Sequence, residues 1–149
     1  MNSPRRGEIW IANLGSPPIR HWVLIVSVDE RNLSDRIDTV LIVPFSSRGA
    51  ASPTVVEFPP GETGLPGRSF VRGHYMQILD KRVLLAQERR VLSATRMREV
   101  AMAIRRSFDP DAPWAGRYLS ESPEPGPERA PARRVRGKRP QNDGRALPR

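Results

Sequence analysis

The chain has 149 residues, with 25 Lys and Arg against 16 Asp and Glu, and it contains no cysteine. This length fits a single domain, and 38% hydrophobic residues are enough for one modest core. The lack of cysteine excludes disulfide bonds, a thiol nucleophile and zinc bound by cysteine, and the two histidines argue against an all-protein metal site. The formal net charge of +9 indicates a polyanionic partner.

The hydropathy pattern gives no sign of a membrane segment or an export signal. No apolar stretch approaches the ~20 residues that a membrane span needs. Residues 1–7 lack the apolar stretch of a signal peptide. We therefore expect a cytoplasmic protein with no cofactor and no membrane partner.

Residues 8–91 are dominated by short segments of β-branched and aromatic residues, separated by Gly, Pro and charged turns. The continuous apolar run at 22–28 is typical of a central strand that is covered on both faces. The segments predict six or seven strands, at residues 8–14, 22–28, 38–44, 54–58, 69–71 and 75–79, with a weaker candidate at 83–87.

The hydrophobic period changes to that of a helix after residue 92. One apolar stripe is formed by Met97, Val100, Ala101, Ile104 and Phe108. Ser93 is the predicted N-cap, and Asp109-Pro110 ends the helix. Four arginines lie off the stripe and are expected to face solvent, namely Arg96, Arg98, Arg105 and Arg106. The predicted fold is mostly β with a C-terminal α-helix, built as a small, twisted antiparallel β-barrel.

The last thirty residues differ in composition from the rest of the chain. Residues 120–149 hold six prolines, eight basic residues and four acidic residues, a net charge of +4. Such a segment buries too little apolar surface to offset its ordering entropy. The sequence therefore predicts a folded domain at 1–119 and a disordered Pro/Arg-rich basic tail at 120–149.

Three polar loops follow apolar strands, at residues 15–21, 46–48 and 64–69. None of them matches a metal cluster, a phosphate-binding glycine loop or a Ser/His/Asp triad at a diagnostic spacing. The segments around these loops nevertheless follow an ordered pattern. It runs through residues 6–10, 23–27 with Asp29 and Asn32, 43–47, 64–66 with Ser69, 77–82, and Leu92-Ser93 with the following helix.

This ordered pattern resembles the MazF/PemK-like toxin endoribonucleases of type II toxin–antitoxin systems, over residues 6–108. The resemblance implies an SH3-like barrel of the MazF/PemK/CcdB kind, usually a homodimer, that cuts single-stranded RNA without a metal ion. In that chemistry the ribose 2′-OH attacks the adjacent phosphorus and leaves a 2′,3′-cyclic phosphate. The resemblance also implies growth inhibition, neutralisation by a cognate antitoxin, and DNA binding only through the antitoxin complex.

The chain departs from the family pattern at two positions of the expected catalytic set Arg20, His21 and Ser46. His21 stands where the family has a catalytic arginine, and Ser46 stands where it has threonine, which keeps the hydroxyl. Three alternatives follow: Arg20 takes the place of the arginine, His21 is itself the acid–base group, or the site is weakened or inactive. Because successive strand residues point to opposite faces, Arg20 and His21 are not expected to serve one site unless the loop bends.

The remaining candidates are expected RNA contacts, at Ser47, Arg48, Arg68, Ser69 and Gln77. Phosphate contacts from such arginines position RNA without specifying its sequence. Two other functions are alternatives to the endoribonuclease. One is a relative that binds nucleic acid or antitoxin without cleaving. The other is a topoisomerase poison, which is disfavoured because the sequence has no distinct C-terminal helix motif that could block such an enzyme.

Overall fold

The computed structural model describes residues 2–114, apart from the side chain of Arg89. Residues 2–114 form seven strands: β1 (Glu8–Leu14), β2 (Ile19–Ile25), β3 (Thr39–Ser46), β4 (Val55–Phe58), β5 (Ser69–Arg72), β6 (Gln77–Asp80) and β7 (Leu84–Val91). These described residues also form two α-helices, α1 (Asp29–Asn32) and α2 (Ala94–Arg106), and two 3₁₀ turns, Gly73–Tyr75 and Lys81–Val83. The predicted tail at 120–149 lies outside the described residues.

The strands form one curled antiparallel sheet in the order β4-β5-β3-β2-β1-β7, and β6 pairs with the first half of β3. The sheet curls because β3 is long enough to pair with β6 at Thr39–Ile42 and with β5 at Phe45 and Ser46. The predicted class, mostly β with a C-terminal helix, is confirmed. None of the helices in residues 2–114 is long and apolar enough to cross a membrane.

Strand β2 is covered on both faces, as its apolar run predicts. Leu24 packs in a cluster on the α2 side of the sheet, together with Ile9, Val43 and Val100. Val23 and Ile25 pack on the opposite side with Trp10, Ala12, Val40, Ile42 and Leu84. Full burial of each such aliphatic side chain contributes about 1.5–3 kcal/mol.

Helix α2 begins after the predicted N-cap Ser93 but ends at Arg106, before the predicted end at Asp109-Pro110, and its buried face differs from the predicted stripe. The Ser93 hydroxyl accepts a hydrogen bond from the Arg96 amide at 3.2 Å, which caps the helix. Met97, Val100 and Ala103 are buried, whereas the predicted Ala101 is exposed. Phe108 lies two residues beyond the helix and is 72% exposed, so the prediction that it packs in the core is wrong.

Gly73 brings the 3₁₀ turn after β5 into contact with the backbone of α2. A Cβ at this position would lie 2.5 Å from the carbonyl carbon of Ala103 and 2.5 Å from the amide nitrogen of Ile104. Only glycine permits this approach, which fixes α2 against the sheet.

Candidate functional site

The three predicted polar loops contribute to one groove at the end of the sheet. The start of β2, the end of β3 and the β4–β5 loop (residues 59–68) form its walls. The groove has a volume of about 310 Å³ and is lined by Arg20, His21, Trp22, Phe45, Ser46, Ser47, Leu65, Pro66, Gly67, Arg68 and Ser69. The curl of the sheet therefore brings the three predicted segments together, although Arg20 and His21 lie in β2 and Ser46 lies in β3 and not in loops.

The lining combines three kinds of chemistry that suit a single-stranded nucleic acid. Arg20 and Arg68 are exposed cations, and Ser46 and Ser47 supply hydroxyl groups. The apolar part of the wall comes from Trp22, Phe45, Leu65 and Pro66. Cations attract a phosphate backbone, while aromatic and apolar surfaces accept bases that are not paired.

The pairing of β2 with β3 relates His21 to Ser46. Val23 lies opposite Pro44 in the antiparallel ladder. His21 is two residues before Val23 and Ser46 is two residues after Pro44, so both side chains project from the same face of the sheet. Arg20 belongs to the opposite face. The groove nevertheless includes Arg20 and His21, because it lies at the strand ends, where both faces of the sheet reach its rim.

The Ser46 hydroxyl shapes the loop after β3. It donates a hydrogen bond to the carbonyl oxygen of Arg48 at 2.8 Å and accepts one from the Arg48 amide at 3.2 Å. Arg48 itself is exposed and does not line the groove. The hydroxyl of Ser46 therefore holds a tight turn at the rim of the groove.

An additional cation beside this turn was missed by sequence reasoning. Arg72 Nη2 donates to the carbonyl oxygen of Arg48 at 2.7 Å. Its guanidinium carbon lies 5.5 Å from the ring centroid of Tyr75, and the Tyr75 ring lies 4.6 Å from that of His74. The alternation of side chains along β5 could have identified Arg72, because Val71 points into the core on the α2 side and Arg72 therefore projects from the opposite face.

Arg72 and Ser46 project from the same face of the sheet. Ser46 lies opposite Phe70 in the ladder of β3 and β5, and Arg72 is two residues beyond Phe70. Side chains two residues apart project from the same face. His21, Ser46 and Arg72 therefore belong to one side of the sheet, on three neighbouring strands.

The other predicted RNA contacts lie in different surroundings. Arg68 Nε pairs with the Glu57 carboxylate at 3.1 Å and remains 63% exposed. Ser69 is buried, and its hydroxyl lies 3.3 Å from that of Thr63. Gln77 is exposed on β6, opposite Ile42, and lies outside the groove.

Two parts of the sequence pattern have a structural role. The buried Asn32 donates to the carbonyl oxygen of Ser27 at 2.9 Å, and the Ser27 hydroxyl accepts from the Leu41 amide at 3.0 Å, which joins α1 to β3. Short polar residues at these positions therefore satisfy buried backbone groups.

The segment Asp80 to Arg82 has a similar structural role. The buried Lys81 donates through Nζ to the carbonyl oxygen of Ser34 at 3.1 Å. Hydrogen bonds from the Arg82 side chain and amide lower the pKa of Asp80 to about 2, so its carboxylate stays charged and caps the following turn. Within residues 2–114, no group of three or more His, Asp and Glu side chains is arranged to hold a metal ion.

Comparison with known proteins relates this fold to a family. An endoribonuclease from a mycobacterial species, solved with its cognate antitoxin, is 24% identical, with a TM-score of 0.61 over 75% of this chain and 99% of that chain. The Mycobacterium tuberculosis toxin MazF-mt6 is 24% identical, with a TM-score of 0.59 over 68% and 96% of the two chains. MazF from a MazE–MazF structure of Deinococcus radiodurans is 21% identical, with a TM-score of 0.58 over 70% and 95%.

These likenesses show a shared fold. Among curated proteins, none matches the chain. The model of the PemK-like, MazF-like toxins of type II toxin–antitoxin systems matches residues 5–108, which include every wall of the groove. The chain therefore belongs to the PemK-like, MazF-like toxin family of type II toxin–antitoxin systems.

Proposed function

We propose that this chain is a metal-independent endoribonuclease toxin that cleaves single-stranded RNA in the groove. The observation that carries the proposal is the convergence of His21, Arg20 and Ser46 with an apolar wall at one rim. The similarity to structures described as endoribonucleases supports the same reaction class. An RNA substrate implies that the protein acts in the cytoplasm.

The proposed reaction needs a base, an acid and a positive charge. The ribose 2′-OH loses its proton to a base and attacks phosphorus, and the 5′-oxygen of the next nucleotide leaves with a proton from an acid. The products are a 2′,3′-cyclic phosphate and a 5′-OH, so no nucleophile from the protein is required. The crowded phosphorane carries negative charge that a nearby cation stabilises.

The groove offers one acid–base group, one cation and one hydroxyl group for these needs. Imidazole side chains commonly serve as acid–base groups, so we assign that role to His21. Arg20 is a cation three residues before Val23, the first buried residue of β2, and lines the groove where a phosphate would lie. Ser46 lies on the same face as His21, and we propose that its single hydroxyl proton turns from the carbonyl oxygen of Arg48 to a phosphate oxygen when RNA binds.

The remaining polar groups are proposed to hold RNA on either side of the cleaved phosphate. Ser47, Arg68 and Ser69 belong to the groove, so they are placed to contact the nucleotides nearest to the reaction. Arg48 and Gln77 lie outside it and would contact flanking nucleotides. We add Arg72 to this set, because its cation adjoins Arg48 on the face of Ser46.

The proposed partners are a cognate antitoxin and a second copy of the chain. Structures with MazE–MazF and with a cognate antitoxin are among those with this fold, which supports an antitoxin partner. We propose that the active form is a homodimer and that DNA is bound only through the antitoxin complex.

The test is cleavage of a labelled single-stranded RNA by the purified protein, with and without EDTA. We expect cleavage in both conditions and a 2′,3′-cyclic phosphate end in the product. The same oligonucleotide with 2′-deoxyribose at the cleaved position should be bound and left intact. Binding of RNA without any cleavage would favour a non-catalytic relative, a function that the replacement of the family arginine by His21 supports.

A further inference from the structure

The wall of the groove formed by the β4–β5 loop has few fixed contacts of its own. Leu65, Pro66, Gly67 and Arg68 all belong to this loop and line the groove. Its internal backbone hydrogen bonds are long: the Gly61 amide donates to Leu65 and the Gly64 amide to Gly61 at 3.4 Å, and the Glu62 amide donates to Pro59 at 3.3 Å. A ten-residue loop with such contacts needs anchors from neighbouring elements to keep one shape.

Arg96, in the first turns of α2, supplies an anchor. Its Nε and Nη2 donate to the two carboxylate oxygens of Glu62 at 2.6 and 2.9 Å, a two-pronged contact that fixes orientation as well as distance. Its Nη1 donates to Glu99 at 2.6 Å, and its guanidinium carbon lies 4.8 Å from the ring centroid of the fully buried Phe58. The guanidinium is thus fixed to α2, to β4 and to the loop.

The electrostatics of this pair agree with its geometry. The hydrogen bonds from Arg96 hold the pKa of Glu62 below its ordinary value, and those from Glu62 raise the pKa of Arg96. The side chains of Arg96 and Glu62 are only 24% and 30% exposed, so water screens their attraction less than that of a surface pair. The sequence predicted that Arg96 faces solvent, and the structure corrects this.

The root of the loop has two further supports. Arg90 of β7 donates through Nη1 to the carbonyl oxygen of Gly61, next to Glu62. Thr63 is fully buried, and its hydroxyl accepts from the Leu65 amide at 3.3 Å. The loop is therefore held at residues 61–63, and the residues that follow project into the groove wall.

We propose that Arg96 is a positioning residue for the groove. Through its hydrogen bonds to Glu62, Arg96 sets the positions of Leu65 and Arg68 and so controls RNA affinity. This inference rests on the proposed function. Arg20, His21 and Ser46 come from β2 and β3, which the Arg96 side chain does not contact by any hydrogen bond or ion pair recorded within residues 2–114. Loss of Arg96 should therefore weaken binding and leave the chemical step intact.

The kinetic test compares Arg96→Ala with Arg98→Ala. Both substitutions remove one positive charge from the same helix, but Arg98 is exposed and donates to Thr95 within α2 itself. We expect Arg96→Ala to raise KM for RNA about tenfold with kcat within about twofold of wild type, since a displaced wall costs binding. Arg98→Ala should keep both constants close to those of wild type.

Glu62→Gln provides a second variant that leaves the helix intact. It should raise KM as Arg96→Ala does, and the double variant should be no worse than either single one, because both break the same contact. Arg96→Lys should restore less than half of the lost affinity, because an ammonium group does not make the two-pronged contact. Wild-type KM in folded Arg96→Ala, or a loss confined to kcat, would overturn the proposal.

Amide hydrogen exchange separates this proposal from the proposed function. We expect faster exchange at residues 61–65 in Arg96→Ala and Glu62→Gln, and unchanged exchange in Arg98→Ala. If the wild type does not cleave RNA, the proposed function fails, and exchange together with affinity for 2′-O-methyl RNA still decides the role of Arg96. Unchanged exchange and unchanged affinity in both variants would refute it.

Discussion

At the scale of single residues, the groove contains a histidine next to an arginine at the start of β2. His21 shares a sheet face with Ser46, whereas Arg20 belongs to the other face, yet all three line one groove. An arginine remains charged throughout the accessible pH range, while a histidine changes charge near neutrality. The two residues therefore predict different pH profiles.

The first prediction concerns this pair. If His21 is the acid–base group, His21→Ala should abolish cleavage, Arg20→Ala should only slow it, and the wild-type rate should change over the pH range in which histidine side chains generally gain or lose a proton. If Arg20 acts instead, the order of the two variants reverses and the rate shows no limb of this kind. The measurement is the pH profile of kcat/KM for wild type and both variants.

A control for both variants is available in the same assay. His74 is the other histidine of the chain and lies outside the groove, beside Tyr75. A titration limb that survives in His21→Ala and disappears in His74→Ala would assign the acid–base role to His74 and contradict this prediction.

The second prediction concerns the hydroxyl of Ser46. Ser46→Ala should lower the cleavage rate by at least ~10²-fold, as expected for a group that contributes to acid–base or electrostatic catalysis. It should change the free energy of unfolding by less than about 1 kcal/mol, because the lost hydrogen bonds to Arg48 are local and exposed.

Ser47→Ala is the matched control, since Ser47 is the next residue and lines the same groove. It should keep kcat close to that of wild type and raise KM, because Ser47 is proposed to bind RNA and not to take part in the chemical step. Equal rates for wild type and Ser46→Ala would remove Ser46 from the site.

At the scale of elements, sequence patterns located the strands well and the side-chain contacts between elements poorly. The strand at 8–14 is found with its predicted bounds, whereas β2 begins three residues earlier than predicted, at Ile19. Pairing with β1, Leu14 opposite Ile19, extends β2 through polar residues that have no strand pattern. Such pairing depends on tertiary context, which local propensity does not contain.

The same limit applies to the arginines of the site. Arg96 was expected to face solvent because it lies off the apolar stripe of α2, and its partner Glu62 is 34 residues away in a loop. Arg72 was overlooked because its role depends on the Arg48 loop folding back over β5. The groove loops themselves were predictable, because each follows an apolar strand and is polar.

The third prediction tests the contact between the 3₁₀ turn and α2. Gly73→Ala should lower the free energy of unfolding by at least about 1–3 kcal/mol, because its Cβ would overlap the backbone of Ala103 and Ile104. Gly67→Ala is the control, since a Cβ there has no atom within 4 Å. Chemical denaturation of both variants measures the difference, and equal stabilities would contradict the close approach.

The fourth prediction concerns the pH dependence of the pair of Glu62 and Arg96. Because the pKa of Glu62 is lowered in the folded state, its charge stabilises the fold above the ordinary pKa of 4.5, and this stabilisation is lost as the pH falls through the lowered value. Wild type should therefore be more stable than Glu62→Gln by about 1 kcal/mol at pH 6.

The advantage over Glu62→Gln should shrink below pH 4.5. Denaturant unfolding of the two proteins at several pH values provides the measurement. A difference that grows on acidification would have the wrong sign and would refute the role of Glu62.

At the scale of the whole molecule, charge divides between the family domain and the segment after it. The family model ends at residue 108, and residues 120–149 carry a net charge of +4 out of +9. The family domain carries its own cations at the groove and its rim, at Arg20, Arg68 and Arg72. We propose that the domain cleaves RNA and that the basic segment adds affinity without specificity.

The last prediction is the effect of deleting residues 120–149. The logarithm of RNA affinity falls with the logarithm of salt concentration, with a slope set by the number of phosphates neutralised. Removal of a net +4 should make this slope shallower and weaken binding mainly at low salt. The cleavage rate at saturating RNA and the unfolding transition should remain those of the full chain, because every residue of the groove and of the two core clusters lies before residue 109.

Affinity measured from low to high salt, with full-length and shortened protein in parallel, provides the test. A shortened protein that unfolds, or that binds with an unchanged salt slope, would show that residues 120–149 are not a separate basic arm.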